Sequence, residues 1–289
     1  MATPAKASVT QMDRRTSPGA RARLIQLLGW LHLRRPLKRL YCRLLGPDGG
    51  IVAVPYVGHE MRFYVHRRAG ATGVQDMRNL QGEHAMLAPM MDALRPGDCA
   101  WDVGAEIGLY SLYTSAKVGA DGEIVAIEPA GDAFERLQDH LHLNRVRNVR
   151  AFRLALSDAE GTLELYREGT GYAPTLRNSA EILAGHTQVE RVQVATGDGL
   201  RRQLGLRAPR AVKVDVEGAE YAALQGLRQT LAQPECVLLC CEIHPRIQPP
   251  GITPEAIMAW VRDMGFTQQE VKPRDRDTTH LIARKPAVS

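Results

Sequence analysis

The chain has 289 residues, 44% of them apolar, with a formal net charge of +5 and a pI near 9.0. That is enough apolar material for a substantial core, and no apolar run approaches the roughly 20 residues that span a bilayer. The charge is uneven: residues 1–47 hold ten Lys/Arg and one acid, a net +9, against 27 basic and 31 acidic residues, a net −4, in the remainder. The basic pI therefore belongs to an N-terminal arm and argues against a body built for nucleic acid.

The five cysteines, Cys42, Cys99, Cys236, Cys240 and Cys241, form no CxxC pair and no metal-ligand spacing. They read as buried free thiols of a reducing compartment. The first apolar stretches are broken by His32, Arg34 and Arg35, unlike a secretory leader. Together these place the protein in the cytoplasm.

Residues 1–20 read as a disordered tail. Residues 21–74 read as an extension, beginning with the basic, amphipathic stretch 21–45, which Pro36 breaks in two. Helices packed on the body account for its Leu and Trp spacing; contact with an anionic membrane surface or a partner protein is the alternative. IVAVPYVGHEMRFYVH (51–66) gives two β-prone runs around Gly58 and His59, a hairpin.

The main domain is expected over 75–289. Leu87, Met90, Met91 and Leu94 recur at helical spacing, with Pro89 inside the stretch. Strands and helices then alternate. The strands are CAWDV (99–103), EIVAIE (123–128), VRAFRLAL (149–156), RAVKVDV (210–216) and CVLLCCEI (236–243). Their near-continuous apolar character suits strands covered on both faces. Helical stripes fall at Phe134, Leu137 and Leu141, at Leu224, Leu227 and Leu231, and at Ile257, Trp260, Val261 and Met264. TLELYRE (162–168) adds a strand, 169–190 reads as an irregular loop, and TQQEV and THLIA close the chain as a strand pair. This alternation predicts an α/β fold, a doubly wound and mostly parallel sheet.

In such a sheet, ligands bind beyond the carboxyl ends of the strands. The first strand runs into Asp102-Val103-Gly104-Ala105-Glu106-Ile107-Gly108, and the second ends in Glu128-Pro129. The others end in Leu156-Ser157-Asp158, Asp215-Val216-Glu217-Gly218 and Glu242-Ile243-His244-Pro245. A dinucleotide loop has the spacing G-x-G-x-x-G; here the glycines are four apart, and carboxylates crowd the edge. An adenosine ligand without phosphate and with a positive centre fits better, and S-adenosylmethionine is such a ligand. Glu128 is placed to accept the ribose hydroxyls, and Gly104 to let the methionine part approach the backbone.

WDVGAEIGLYSL, VAIEP, LALSDAEG, VKVDVEGAEYAALQG and CEIHP follow one another in that order. Together they resemble the FkbM family of S-adenosylmethionine-dependent methyltransferases over roughly residues 75–245. The resemblance implies the class I methyltransferase sheet, Rossmann-like with an antiparallel last strand, and methyl transfer to a hydroxyl. It places the cofactor on Asp102, Gly104, Ala105, Glu106, Gly108, Glu128, Pro129, Leu156, Ser157 and Asp215. One departure stands out: the family usually carries Asn where this chain has Glu106. A carboxylate there either pairs with the methionine ammonium group or weakens cofactor binding.

An alcohol acceptor calls for a general base, and Asp215, Glu217, Glu242 and His244 are the candidates. The same four could form a magnesium site, but a cationic cofactor already accounts for the acids, so no metal is assigned. Asp198 reads as a cap for a helix over 199–204. The expected acceptor is a hydroxyl of a small molecule or a glycan. The alternatives are a nucleic-acid methyltransferase using the arm, a catalytically weak S-adenosylmethionine-binding partner protein, and an NAD-linked oxidoreductase. Aromatic content of 5% offers little for base stacking.

Overall fold

A computed structural model describes residues 50–65, 80, 82–168, 186–275 and 277–286. The expected tail, the basic arm 21–45, Cys42 and most of the loop 169–190 lie outside the described residues.

Strands β1 (Ile51–Tyr56) and β2 (His59–Tyr64) form the expected hairpin, with Tyr56 opposite His59. Val57 and Gly58 both have positive φ, 44° and 77°, the type I′ conformation that matches strand twist. Alternate residues Val52, Val54, Met61 and Phe63 are buried, so one face is covered. It lies on two helices introduced below: the Tyr113 hydroxyl donates to the Val54 carbonyl at 2.6 Å, and the Tyr64 N–H meets His140 Nε2 at 3.0 Å. The hairpin belongs to the same unit as the main sheet, Ile51–Ser289.

Helix α1 (His84–Ala93) carries Pro89 within it. Then follow β3 (Cys99–Val103), α2 (Leu109–Val118), β4 (Glu123–Ile127), α3 (Gly131–Leu143) and β5 (Val149–Phe152). The stretch read as one strand over 149–156 is two. The chain leaves the main sheet at Arg153, which ion-pairs with Glu190, and resumes as β6 (Ala155–Leu156) in a different sheet. There β7 (Gly161–Glu168) and β8 (His186–Ala195) join it in the order β6-β8-β7. Strand β8 corrects the loop expected over 169–190: its last five residues are strand. Val192 and Val194 are buried between polar neighbours, and the polar start of β8 concealed that alternation.

After β8 come α4 (Gly197–Leu204), β9 (Ala211–Val214), α5 (Glu220–Gly226), α6 (Arg228–Ala232) and β10 (Leu238–Ile243). The chain closes with α7 (Pro254–Asp263), β11 (Gln268–Pro273) and β12 (Thr279–Arg284). Asp198 does not cap α4. Thr196 does, accepting the Gly199 N–H at 3.0 Å. Asp198 reaches across to α6 and accepts from Gln229 N, Thr230 N and Thr230 Oγ1 at 2.7–2.8 Å. Orphan N–H groups at a helix start need such partners, wherever in the chain they come from.

The main sheet has seven strands in the order β11-β12-β10-β9-β3-β4-β5. The central five are parallel, and β12 is antiparallel to both neighbours. This is the class I methyltransferase sheet, with the expected antiparallel last strand. Its residues alternate between two cores. Ala100, Ile124, Ala126 and Cys240 pack with α1, α2 and α3, while Trp101, Val125, Val212 and Leu239 pack with α5, α6 and α7. Leu224, Leu227 and Leu231 are all buried, although the helix they predict breaks at Leu227. The four described cysteines are buried free thiols. Among the described residues no helix is long and apolar enough to cross a membrane.

Candidate active site

Strand order reverses between β3 and β9, the switch point where open α/β sheets place ligands. There Asp102 and Lys213 stand opposite each other in register. Asp102 is buried. Its Oδ2 accepts the Ser111 N–H at 2.9 Å and the Ser111 hydroxyl at 2.6 Å, tying the strand to the start of α2. Its Oδ1 lies 3.5 Å from Lys213 Nζ.

Lys213 was not foreseen as a site residue. A lysine is almost never fully buried without partners, so a lone charge inside AVKV was the available signal. Its Nζ donates to the Gly104 carbonyl at 2.6 Å, lies 3.5 Å from Asp215 Oδ2, and sits 5.1 Å from the centre of the Tyr110 ring. Burial alone would lower its pKa, but Asp215, Asp102, Glu83 and Glu242 together hold it above the ordinary lysine value. The ammonium therefore stays charged and pins the glycine loop to the tip of β9.

The loop itself is held by backbone. The Gly104 and Ala105 N–H groups both donate to the Ile127 carbonyl at 2.9 Å, and Gly108 N–H donates to the Ala105 carbonyl. Gly104 has φ +78°, and a Cβ added there would lie 1.8 Å from the Asp215 carbonyl oxygen. The missing side chain thus lets β3 and β9 close on each other.

Glu128 is buried at the tip of β4. Its Oε2 accepts the Glu106 N–H at 2.9 Å and its Oε1 accepts the Ala130 N–H at 2.8 Å. Burial pushes its pKa up to about 7, against those two N–H groups, which pull it down. Each oxygen keeps a second lone pair, so this carboxylate is oriented and can still accept two hydroxyls. Pro129 is half-buried beside it. Glu190 of β8 accepts the Gly131 N–H at 3.3 Å, which seats the small sheet next to this turn. Leu156 is buried at the end of β6, and Ser157, half-buried, bonds to Asp158 Oδ1 at 3.1 Å.

Glu106 has φ +48°. A glutamate in the left-handed region costs roughly 1–2 kcal/mol, and Asn tolerates it better. Its side chain is solvent-accessible yet has protein around it, and that desolvation raises its pKa, opposed by Arg136 and reinforced by Asp215. Since the contact to Glu128 is made by the backbone N–H, Glu106→Asn should keep the loop and stabilise the fold by up to about 1 kcal/mol. Thermal melting checks this; a lower Tm would show that the carboxylate itself holds the loop.

The remaining candidates gather at the tips of β9 and β10. His244 is buried, with Nδ1 2.6 Å from Glu220 Oε1 and Nε2 3.4 Å from both Glu217 Oε2 and Glu242 Oε1. Glu220, fully buried, also accepts the Gly218 N–H at 2.8 Å and a bond from Gln248. Burial opposes a charge on His244, but hydrogen bonds to Glu220 and Glu242 outweigh it and push its pKa up to about 11. Glu242 pairs with Arg274 and with His280 Nε2 at 3.1 Å. Burial would raise its pKa, yet His244, His280 and Arg274 hold it far below the carboxylate range. Arg274 in turn reaches Glu83 Oε1 at 3.1 Å. Glu217, by contrast, is pushed up to about 7 by burial, with His244 opposing. Asp215 is also raised by burial, with Lys213 opposing. Arg274, His280 and Gln248 come from distant segments and left no local sign in the sequence.

Comparison with known proteins decides the family. The model of the FkbM methyltransferase domain matches residues 102–267, more than half of the chain. The chain belongs to the FkbM methyltransferase family. Among its relatives, the hexuronic acid methyltransferase AglP of Haloferax volcanii is 28% identical over 228 residues, covering 79% of this chain and 86% of that protein. The 31-O-demethyl-FK506 methyltransferase FkbM of Streptomyces tacrolimicus is 29% identical over 202 residues, 60% of this chain and 74% of that one. A solved FkbM methyltransferase from Methylobacillus flagellatus KT aligns with a TM-score of 0.44 at 16% identity, covering 73% of this chain and 54% of that one. S-adenosylmethionine is the methyl donor of this family and sheet. The residues present fit it: the edge offers the oriented acceptor Glu128 and several acids, which suits a cation carrying a ribose and no phosphate.

Proposed function

We propose that the protein moves a methyl group from S-adenosylmethionine to a hydroxyl group of a sugar or other small molecule. The observation that carries this reading is the set of acids at the switch point, Glu128 fixed by two N–H groups and Asp215 and Glu217 standing across the sheet edge. A phosphate-bearing dinucleotide would be repelled there. The names of the relatives support this reading in two parts, a hexuronic acid methyltransferase for a sugar acceptor and a 31-O-demethyl-FK506 methyltransferase for transfer to oxygen.

Bound S-adenosylmethionine supplies an electrophilic methyl carbon. The chain's own residues do the rest. Glu128 accepts from the ribose hydroxyls, and the loop Gly104–Gly108, with Pro129, Leu156 and Ser157, holds the remainder. Rigid placement matters most, because an in-line displacement gains chiefly from alignment. The acceptor also has to lose a proton, and a positioned base contributes roughly 10²–10⁴-fold. Asp215 takes this role: it directly follows β9, packs against the glycine loop, and has a raised pKa. Glu242 is too firmly ionised by Arg274 and His280 to serve, and His244 carries its own proton at neutral pH. No acceptor is singled out by these residues.

Calorimetry with S-adenosylmethionine, S-adenosylhomocysteine and NAD tests the reading. The first two should bind and NAD should not. Tight NAD binding with no response to the other two overturns it.

A further inference from the structure

We propose that Asp215, Glu217 and His244 form a binding site for one divalent metal ion that accepts mixed oxygen and imidazole ligands, Mn²⁺ above all. Each residue presents one ligand atom, and the three atoms lie within 4.8 Å of one another. They come from the tips of two hydrogen-bonded parallel strands, β9 and β10, so the sheet itself sets their spacing. Carboxylate ligands suit Mg²⁺, Ca²⁺ and Mn²⁺, and of these Mn²⁺ is the transition metal, the one that also takes an imidazole.

A cluster of acids alone carries no such inference; the orientation of the imidazole does. Glu220 lies outside the three-residue set and is completely buried. Its Oε1 is fixed by the Gly218 N–H and meets His244 Nδ1 at 2.6 Å, while its Oε2 accepts from Gln248. A carboxylate held in this way takes Nδ1–H as its donor and turns Nε2 toward Glu217, where the ion takes the place of the Nε2 proton. Metal-bound histidines are oriented by the same device, the second ring N–H donated to a carboxylate behind the ligand.

The spacing agrees. Nε2 stands 3.4 Å from Glu217 Oε2 and 3.4 Å from Glu242 Oε1, longer than the usual N–H···O range. Ligand atoms that each lie about 2.1 Å from one ion are separated by about 3.0–3.4 Å across tetrahedral or octahedral angles. Glu242 is tied to Arg274 and His280, so it stands at the border of the site and adds negative charge.

The use of the ion rests on the methyltransferase reading; its binding does not. Beside an acceptor hydroxyl, a divalent cation acts as a Lewis acid and eases loss of the proton. The O–H bond breaks and the proton passes to a carboxylate of the cluster. The O–C bond forms as the C–S bond breaks, and that electron pair stays on sulfur.

The test uses the full chain without an affinity tag, stripped with a chelator and titrated with MnCl₂. Paramagnetic resonance of free Mn²⁺ gives the bound fraction. One ion per chain is expected, and Glu217→Gln and His244→Gln should each weaken binding at least about tenfold. The wild-type titration stands even if a variant fails to fold, which melting curves report. A free-ion signal that tracks added Mn²⁺ in the wild type overturns the site, as does binding unchanged in both folded variants. Calorimetry with S-adenosylhomocysteine on the stripped protein separates the two readings. Cofactor binding without Mn²⁺ uptake removes the metal site and leaves the methyltransferase reading standing; Mn²⁺ uptake without cofactor binding does the reverse.

Discussion

Asp215→Asn should lower kcat at least about a hundredfold, or ~2.7 kcal/mol of barrier, while cofactor affinity stays within about tenfold, ~1.4 kcal/mol. The split follows from where Asp215 stands. Its backbone, through the carbonyl packed on Gly104 and the N–H bonded to the Val103 carbonyl at 3.0 Å, shapes the loop. Asn keeps both. Its side chain faces Lys213 and the acid cluster, and Asn removes only the charge. Lys213 still has Asp102 at 3.5 Å and the Gly104 carbonyl at 2.6 Å, so the buried ammonium is not abandoned and the fold should hold. Both roles given to Asp215, proton acceptor and metal ligand, predict the loss of kcat. Turnover measured with labelled cofactor against sugar and small-molecule acceptors checks it. Wild-type turnover in the variant would remove Asp215 from the chemistry. A hundredfold loss of cofactor affinity would instead make it a binding residue.

Most of the sheet was legible because its strands are buried on both faces, and a run such as CAWDV or CVLLCCEI has few other uses. The hairpin was legible because Val52, Val54, Met61 and Phe63 alternate. What failed depended on contacts between distant segments. Nothing local in VRAFRLAL announces that Arg153 leaves the sheet; its partner Glu190 lies on β8, beyond residues outside the description. Asp198 sits in the first turn of the helix it was expected to cap, yet its acceptor capacity is used on α6. The acids at the strand tips could be read off directly. Their different environments could not, because Arg274 and His280 come from the closing hairpin and Glu83 from the start of α1. Arg274 and His280, together with His244, separate a firmly ionised Glu242 from Glu217, whose pKa burial pushes up to about 7.

Gly104→Ala should cost about 3 kcal/mol or more and abolish cofactor binding. Sequence alone gave this glycine a ligand-side reason, room for the methionine part. The packing gives it a second, on the protein side. A methyl group there would stand 1.8 Å from the Asp215 carbonyl oxygen and 2.8 Å from its carbonyl carbon, and backbone cannot swing away as a flexible side chain can. The positive φ adds roughly 1–2 kcal/mol for any residue with a Cβ, and forcing apart a packed contact adds roughly 1–3 kcal/mol. For a domain of this size, that lowers Tm by about 6–12 °C. The larger consequence is local. To fit the methyl group, β3 and β9 must part at the switch point. That moves the Gly104 carbonyl off Lys213 and the Gly104 and Ala105 N–H groups off Ile127. The Glu106 N–H, which fixes one oxygen of Glu128, then moves with the loop. Melting curves with and without S-adenosylhomocysteine read both effects: the variant should melt lower and show no ligand-induced rise. An unchanged Tm with a normal ligand response would mean that the loop tolerates a side chain there, and that the close approach of the two strands is not what builds the site.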